Sequence, residues 1–218
     1  MSATSTTHIA NLALGRLGES RITALDTDTD TRAVVMREAY TPALHSLLRL
    51  HPWNFAGDRA ELAALATAPA FGWASAWQLP ADFLRMREIW SGESQYTPYG
   101  EYTIERRTLL NNLSSTSDDC QITYTSKEVP VAEFDPLFLE ALVTLLCART
   151  AGAITQKPAA EAAYTKLHAL ALANATTIDA RETKSGENEG PHASVYRSGL
   201  VRSRFNGPTS PLPKAPSA

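Results

Sequence analysis

The run Leu44-His45-Ser46-Leu47-Leu48-Arg49-Leu50-His51-Pro52-Trp53-Asn54-Phe55-Ala56 is where one kind of sequence ends and another begins. Up to Leu50 it belongs to a helical stripe: Val34, Arg37, Tyr40, Leu44, Leu47 and Leu48 share one face from about Thr31 onward. Asp28 or Asp30 can cap the start of that helix, which would be a strut roughly 30 Å long. Pro42 removes one of its hydrogen bonds and marks a kink. The helix is expected to stop at His51, because the residue before a proline disfavours the α region. After Trp53 the helical period is gone.

Downstream, from Trp53 to Val131, short β-like runs alternate with turn residues. Phe83 to Trp90 places Leu84, Met86 and Glu88 on one side and Arg85, Arg87 and Ile89 on the other. Tyr102 to Glu105 and Gln121 to Tyr124 read the same way, with Pro80, Gly92, Pro98, Gly100 and Asn111-Asn112 as punctuation. The expectation is a small antiparallel sheet of three or four strands. Helix returns at Asp135-Pro136, where Asp caps and Pro suits the first helical position. Leu137 to Ile154 is apolar nearly all round, as in a helix buried within a bundle or between subunits. Gln156-Lys157-Pro158 breaks it. An alanine-rich helix from Ala159 to about Glu182 follows, with Tyr164, Leu167, Leu170 or Ala171, Asn174 and Ile178 at helical spacing.

Upstream, Ile9, Leu12, Ala13 and Leu17 predict a first helix, capped by Thr6 or Thr7 and ended at Gly18. The predicted fold class is therefore α+β: an antiparallel bundle of about four helices with an inserted antiparallel β module. Residues 1–62 and 132–182 form the helical body, 63–131 the module and 183–218 an extended C-terminal arm. The arm lacks core-forming density and cannot fold alone. It has no Asp or Glu after Glu189, while Arg197, Arg202, Arg204 and Lys214 are basic and Tyr196, Leu200 and Phe205 are isolated apolar residues. That pattern predicts a segment that orders on a partner.

Composition narrows the function. The chain has 218 residues and a formal net charge of −3, so it carries no overall basic footprint for nucleic acid. The only cysteines, Cys120 and Cys147, fall in a predicted strand and a predicted apolar helix and read as buried thiols. Met1 to Thr7 has neither a basic nor an apolar signal-peptide region, and Leu137 to Ala148 is too short to span a bilayer. Asp26, Asp28 and Asp30 are spaced like a calcium loop. Thr31 and Arg37, however, stand where an EF-hand needs glycine and glutamate, so a helix-capping turn is expected. His8, His45, His51, His168 and His192 make no zinc spacing with the cysteines. Nucleophile, phosphate-loop and dinucleotide motifs are absent. Asp118-Asp119 read as turn residues. Trp53, Trp73, Trp77 and Trp90 read first as packing residues and second as a sugar-stacking surface. Arg85/Arg87 and Arg106/Arg107 read as a solvated strand face or a basic patch. No catalytic, cofactor-binding or metal-binding residue is assigned.

The segment His51-Pro52-Trp53-Asn54-Phe55-Ala56, followed by Arg59-Ala60-Glu61-Leu62-Ala63, resembles the tail tubular protein A family of T7-like phages. Further segments agree in order: Asn11-Leu12-Ala13-Leu14 with Leu17-Gly18 and Arg21-Ile22, then Trp77-Gln78-Leu79-Pro80-Ala81-Asp82, Phe134-Asp135-Pro136-Leu137-Phe138 and Ala180-Arg181-Glu182. The resemblance covers roughly residues 9 to 182. It implies a non-enzymatic head–tail adaptor, usually a twelve-fold ring, that joins the portal to the tail nozzle and lets DNA pass without specific binding. The helices would form the ring, the β module would meet the nozzle, and the arm would grip the portal through Tyr196, Arg197, Leu200, Arg202, Arg204 and Phe205. The motif residues His51, Pro52, Trp53, Asn54, Phe55, Leu79, Pro80, Asp82, Asp135 and Pro136 would be structural. Such a protein needs no cofactor or membrane and resides in the virion after synthesis in the host cytoplasm. The alternatives are a head-completion connector of a long-tailed phage, a tail-borne wall-degrading hydrolase and a DNA-binding module.

Overall fold

The computed structural model describes residues 5–91, 94–95, 102–113 and 119–182. The expected arm at 183–218, with Tyr196, Arg197, Leu200, Arg202, Arg204 and Phe205, lies outside the described residues. The chain is α+β. Among the described residues, helices α1 (Thr6–Leu17) and α2 (Thr31–Leu50) precede seven strands, and α3 (Pro136–Thr155) and α4 (Pro158–Glu182) follow them. The strands are β1 (Gly57–Leu62), β2 (Ser75–Gln78), β3 (Phe83–Ser91), β4 (Ser94–Gln95), β5 (Tyr102–Glu105), β6 (Thr108–Asn111) and β7 (Cys120–Ser126).

Each helix end has a chemical cause. Ser5, rather than Thr6 or Thr7, caps α1 by accepting from His8 N at 3.1 Å. Thr7 Oγ1 instead accepts from Leu25 N and fastens the following turn. Gly18 ends α1 with φ at 81°, where a side chain would be strained. Asp30 caps α2 by accepting from Arg32 N at 2.8 Å. Asp28 serves the same turn, accepting from Thr23 N and Asp30 N. The α2 helix runs through Pro42 to Leu50. The Asp135 carboxylate accepts from Leu137 N at 2.7 Å and Phe138 N at 3.2 Å, and Pro136 occupies the first turn of α3.

The α3 helix packs against α1, α2 and α4. Phe138, Leu142 and Leu146 are buried among Ile9, Leu14, Met36, Leu47 and Trp53 in one continuous core. Burying side chains of this size contributes about 1.5–3 kcal/mol each. Hydroxyls on this apolar helix turn back on its own backbone, as Thr144 does to Ala141 O and Thr150 to Leu146 O. At 20 residues α3 is also longer than the run identified in the sequence. It is long and apolar enough to cross a membrane by length and composition, yet 56% of its most apolar window is buried inside this fold.

The strand module is larger than expected. It forms two antiparallel sheets, ordered β1-β7-β3-β4 and β2-β6-β5, instead of one sheet of three or four strands. Its first strand, β1, pairs with β7 from Gly57↔Thr125 to Leu62↔Cys120, so sheet begins inside the span 1–62 expected to be helical. The missed strands do not alternate: Ser75, Ala76 and Trp77 in β2 are all buried, as are Leu109, Leu110 and Asn111 in β6. The alternation expected along β3 is broken by register shifts at Phe83/Arg85 and Met86/Glu88. These return Phe83, Met86 and Ile89 to the module's core, while Leu84 packs on the helical core.

Candidate interaction site

The motif around His51 ties the end of α2 to the end of α4. His51 Nε2 lies 2.8 Å from Asp179 Oδ2. Asn54 N donates to Asp179 Oδ1 at 3.0 Å, and Asn54 Nδ2 donates to the Asp179 carbonyl at 3.0 Å. Pro52 forces the bend that points Trp53 inward. Trp53 is fully buried, donates from Nε1 to Leu47 O at 2.9 Å, and meets Phe138 edge-on with centroids 5.0 Å apart. Phe55 stacks edge-on against Phe138 at 4.8 Å. The Trp53 ring therefore packs against α3, and it is its carbonyl that reaches the strand module, accepting from Arg87 Nη2 at 2.5 Å.

Arg85 and Arg87 form neither a solvated face nor a basic patch, because both are spent on the joint. Arg85 donates to the carbonyls of Arg49 and Leu50 at the C-terminus of α2, where a cation also meets the negative end of the helix dipole. Arg49 answers by donating to Leu84 O at 2.6 Å. Arg87 adds a bond to Thr125 Oγ1, and burial holds its guanidinium below the ordinary value. A Cβ on Gly57 would sit 2.8 Å from Arg87 Nη1, so a larger residue there would displace the guanidinium from its bonds.

The second motif closes the strand module. Leu79 is buried and its N–H donates to Arg107 O. Pro80 O accepts from Phe83 N and from Arg107 Nη2. The Asp82 carboxylate accepts from Ser126 Oγ at 2.6 Å and from Tyr124 OH at 3.0 Å, clamping β7. Burial opposes its charge, but the Ser126 and Tyr124 hydroxyls hold the Asp82 carboxyl below the usual range. The structure thus brings residues 51–55 and 79–82 into two scaffolding knots rather than one chemical site, and leaves Asp135 and Pro136 at the separate N-terminus of α3.

The α4 helix has two apolar stripes. Tyr164, Ala171, Leu172 and Ala175 pack inward. Leu167, Leu170 and Ile178, which share a helical spacing with Tyr164 in the sequence, point outward and are 50%, 65% and 39% exposed. Alanine fills so much of α4 that the apolar period fits either face. The informative signal was Asp179, whose place among buried residues marks the inward face. Of the tryptophans, Trp77 is buried with Nε1 bonded to Asn111 Oδ1, whereas Trp73 and Trp90 stay half-buried. Cys120 and Cys147 are free and buried, and burial pushes both thiols up to about 11. No protein-family model matches the chain, and no curated protein matches its sequence.

Proposed function

We propose that this chain is a structural head–tail adaptor of a short-tailed phage, a subunit of a ring between portal and tail nozzle through which DNA leaves the head. The observation that carries the reading is the outward stripe of α4. Leu167 and Ile178 are eleven positions apart, about 16 Å of helix, with Leu170 between them. Lys166 is the one charged side chain among the exposed positions from Ala162 to Ile178. A helix surface of this kind gains from a neighbour, and Ala163 and Ala173 beside it permit close approach. In this reading the four helices are an antiparallel bundle and form the ring body, about twelve copies contact one another through α4, and the arm at 183–218 holds the portal. Side chains act by surface complementarity, without catalysis or cofactor, and the protein resides in the virion.

The test is electron microscopy and mass photometry of the purified chain with its portal. A portal-bound ring is expected for the native chain, and free monomer for the Leu167→Glu/Leu170→Glu double variant with helix content unchanged. A native chain that stays monomeric beside its portal would sink the reading.

A further inference from the structure

Between Glu61 and Asp82 the sequence holds no ionisable side chain. The middle of that stretch is the loop Ala63 to Ala74, and its two ends are zipped together. Gln78 N donates to Ala63 O at 3.0 Å, and Leu65 N donates to Ala76 O at 2.8 Å. These two bonds close the base of the loop, which projects beyond them. Gly72, with φ at 83°, turns the chain at its tip. Phe71 just before it is 88% exposed, the most exposed large apolar side chain among the described residues. Trp73 beyond the turn is half-buried.

The turn between β5 and β6 lies beside this projection. Arg106 and Arg107 occupy it with φ at 54° and 104°, left-handed conformations that a two-residue hairpin ordinarily assigns to Asn or Gly. Arg107 is spent inside the module, donating to Pro80 O. Arg106 is exposed and shares with Pro69, Phe71, Trp73 and Leu110 the wall of a shallow groove, on which Glu105 is the one carboxylate. Arginine thus stands at a strained turn position where a smaller residue would serve the backbone better. What it adds there is charge beside an apolar tip.

We propose that Phe71 is the anchor by which the strand module docks on a partner protein, whose surface offers an apolar socket with carboxylates on its rim. The proposal deepens the adaptor reading and rests on it only for the assembly in which the partner is met. An aromatic ring at the centre and arginine at the edge is the arrangement that concentrates binding energy in protein interfaces. A lipid surface fits less well. One projecting ring per copy is a smaller apolar anchor than a single acyl chain, which itself holds only marginally. Repetition around a ring would multiply a modest single contact into firm attachment.

The experiment places photoreactive p-benzoylphenylalanine at position 71 of the full chain in the cells that produce it. One dominant adduct is expected, on a different protein, at an apolar peptide flanked by Asp or Glu. Its yield should fall at least tenfold when Arg106→Asn removes the charge but tolerates the left-handed turn. Adducts to lipid, to a second copy of this chain, or spread over many proteins would overturn the docking proposal. An adduct of the expected chemistry on a protein absent from purified virions would leave the proposal standing and sink the adaptor reading instead.

Discussion

Single side chains carry most of the scaffold's specificity. Trp53 fills the space between α2 and α3 and has its N–H satisfied, so Trp53→Ala removes both packing and a hydrogen bond. A loss of about 3–5 kcal/mol is expected in a denaturant titration, and a loss below about 1 kcal/mol would mean the ring does not fill the core. Asp82 yields a pH prediction. Its folded-state pKa is depressed, so the carboxylate adds stability above the ordinary range and that contribution is lost as pH falls through the folded value. The native chain should therefore lose stability below about pH 4, and Asp82→Asn should flatten that limb of the curve. Asp179→Ala should destabilise by about 0.5–1.5 kcal/mol for each of the hydrogen bonds its carboxylate makes to His51 and Asn54. Equal unfolding midpoints would show the knot at His51 and Asn54 to be dispensable.

Helix α4 behaves as an element with two faces of similar composition and opposite use. Ala175→Glu, on the inward stripe, puts a charge into the helical core and should prevent folding, read as lost helical circular dichroism. Leu170→Glu, on the outward stripe, should leave monomer stability within about 0.5 kcal/mol and act only on self-association. The two variants together distinguish a functional surface from a merely apolar helix. If Leu170→Glu unfolds the chain, the outward stripe is structural. The sheets show the same limit on reading elements one at a time. β3 alternates in sequence, but its two register shifts exchange the faces midway, so its arginines face the joint and Met86 faces the module core.

For the whole molecule, the joint of Arg49, Arg85 and Arg87 sets how the strand module sits on the helices. Arg85→Ala/Arg87→Ala should leave both cores folded but loosen their mutual orientation. Limited proteolysis near Pro52 to Gly57 would report this as faster cleavage, and unchanged rates would show that apolar contact alone holds the joint. The arm adds a second test. Removing Tyr196 to Ala218 should abolish portal docking while helix content is kept, because the helices and sheets close their cores within residues 5–182. Docking that survives the deletion would place the portal contact on the helices.

The order of two helices, a strand region and two helices, the cap at Asp135, and the buried thiols followed from the sequence by itself, because each depends on spacing or on chemistry within a few residues. Three things did not. Strands β2 and β6 of the second sheet were hidden because consecutive residues along them are buried and so do not alternate, and Asn111, read as loop punctuation, turned out to be a buried partner of Trp77 and Leu113. The arginines of β3 read as surface because the carbonyls they bind lie some 35 positions away. The two faces of α4 were not told apart because apolar periodicity reports that a face wants burial, and not whether this chain or another supplies the cover. Local physics chooses the elements, while the partner of each face is a property of the packed molecule and only the tertiary structure decides it.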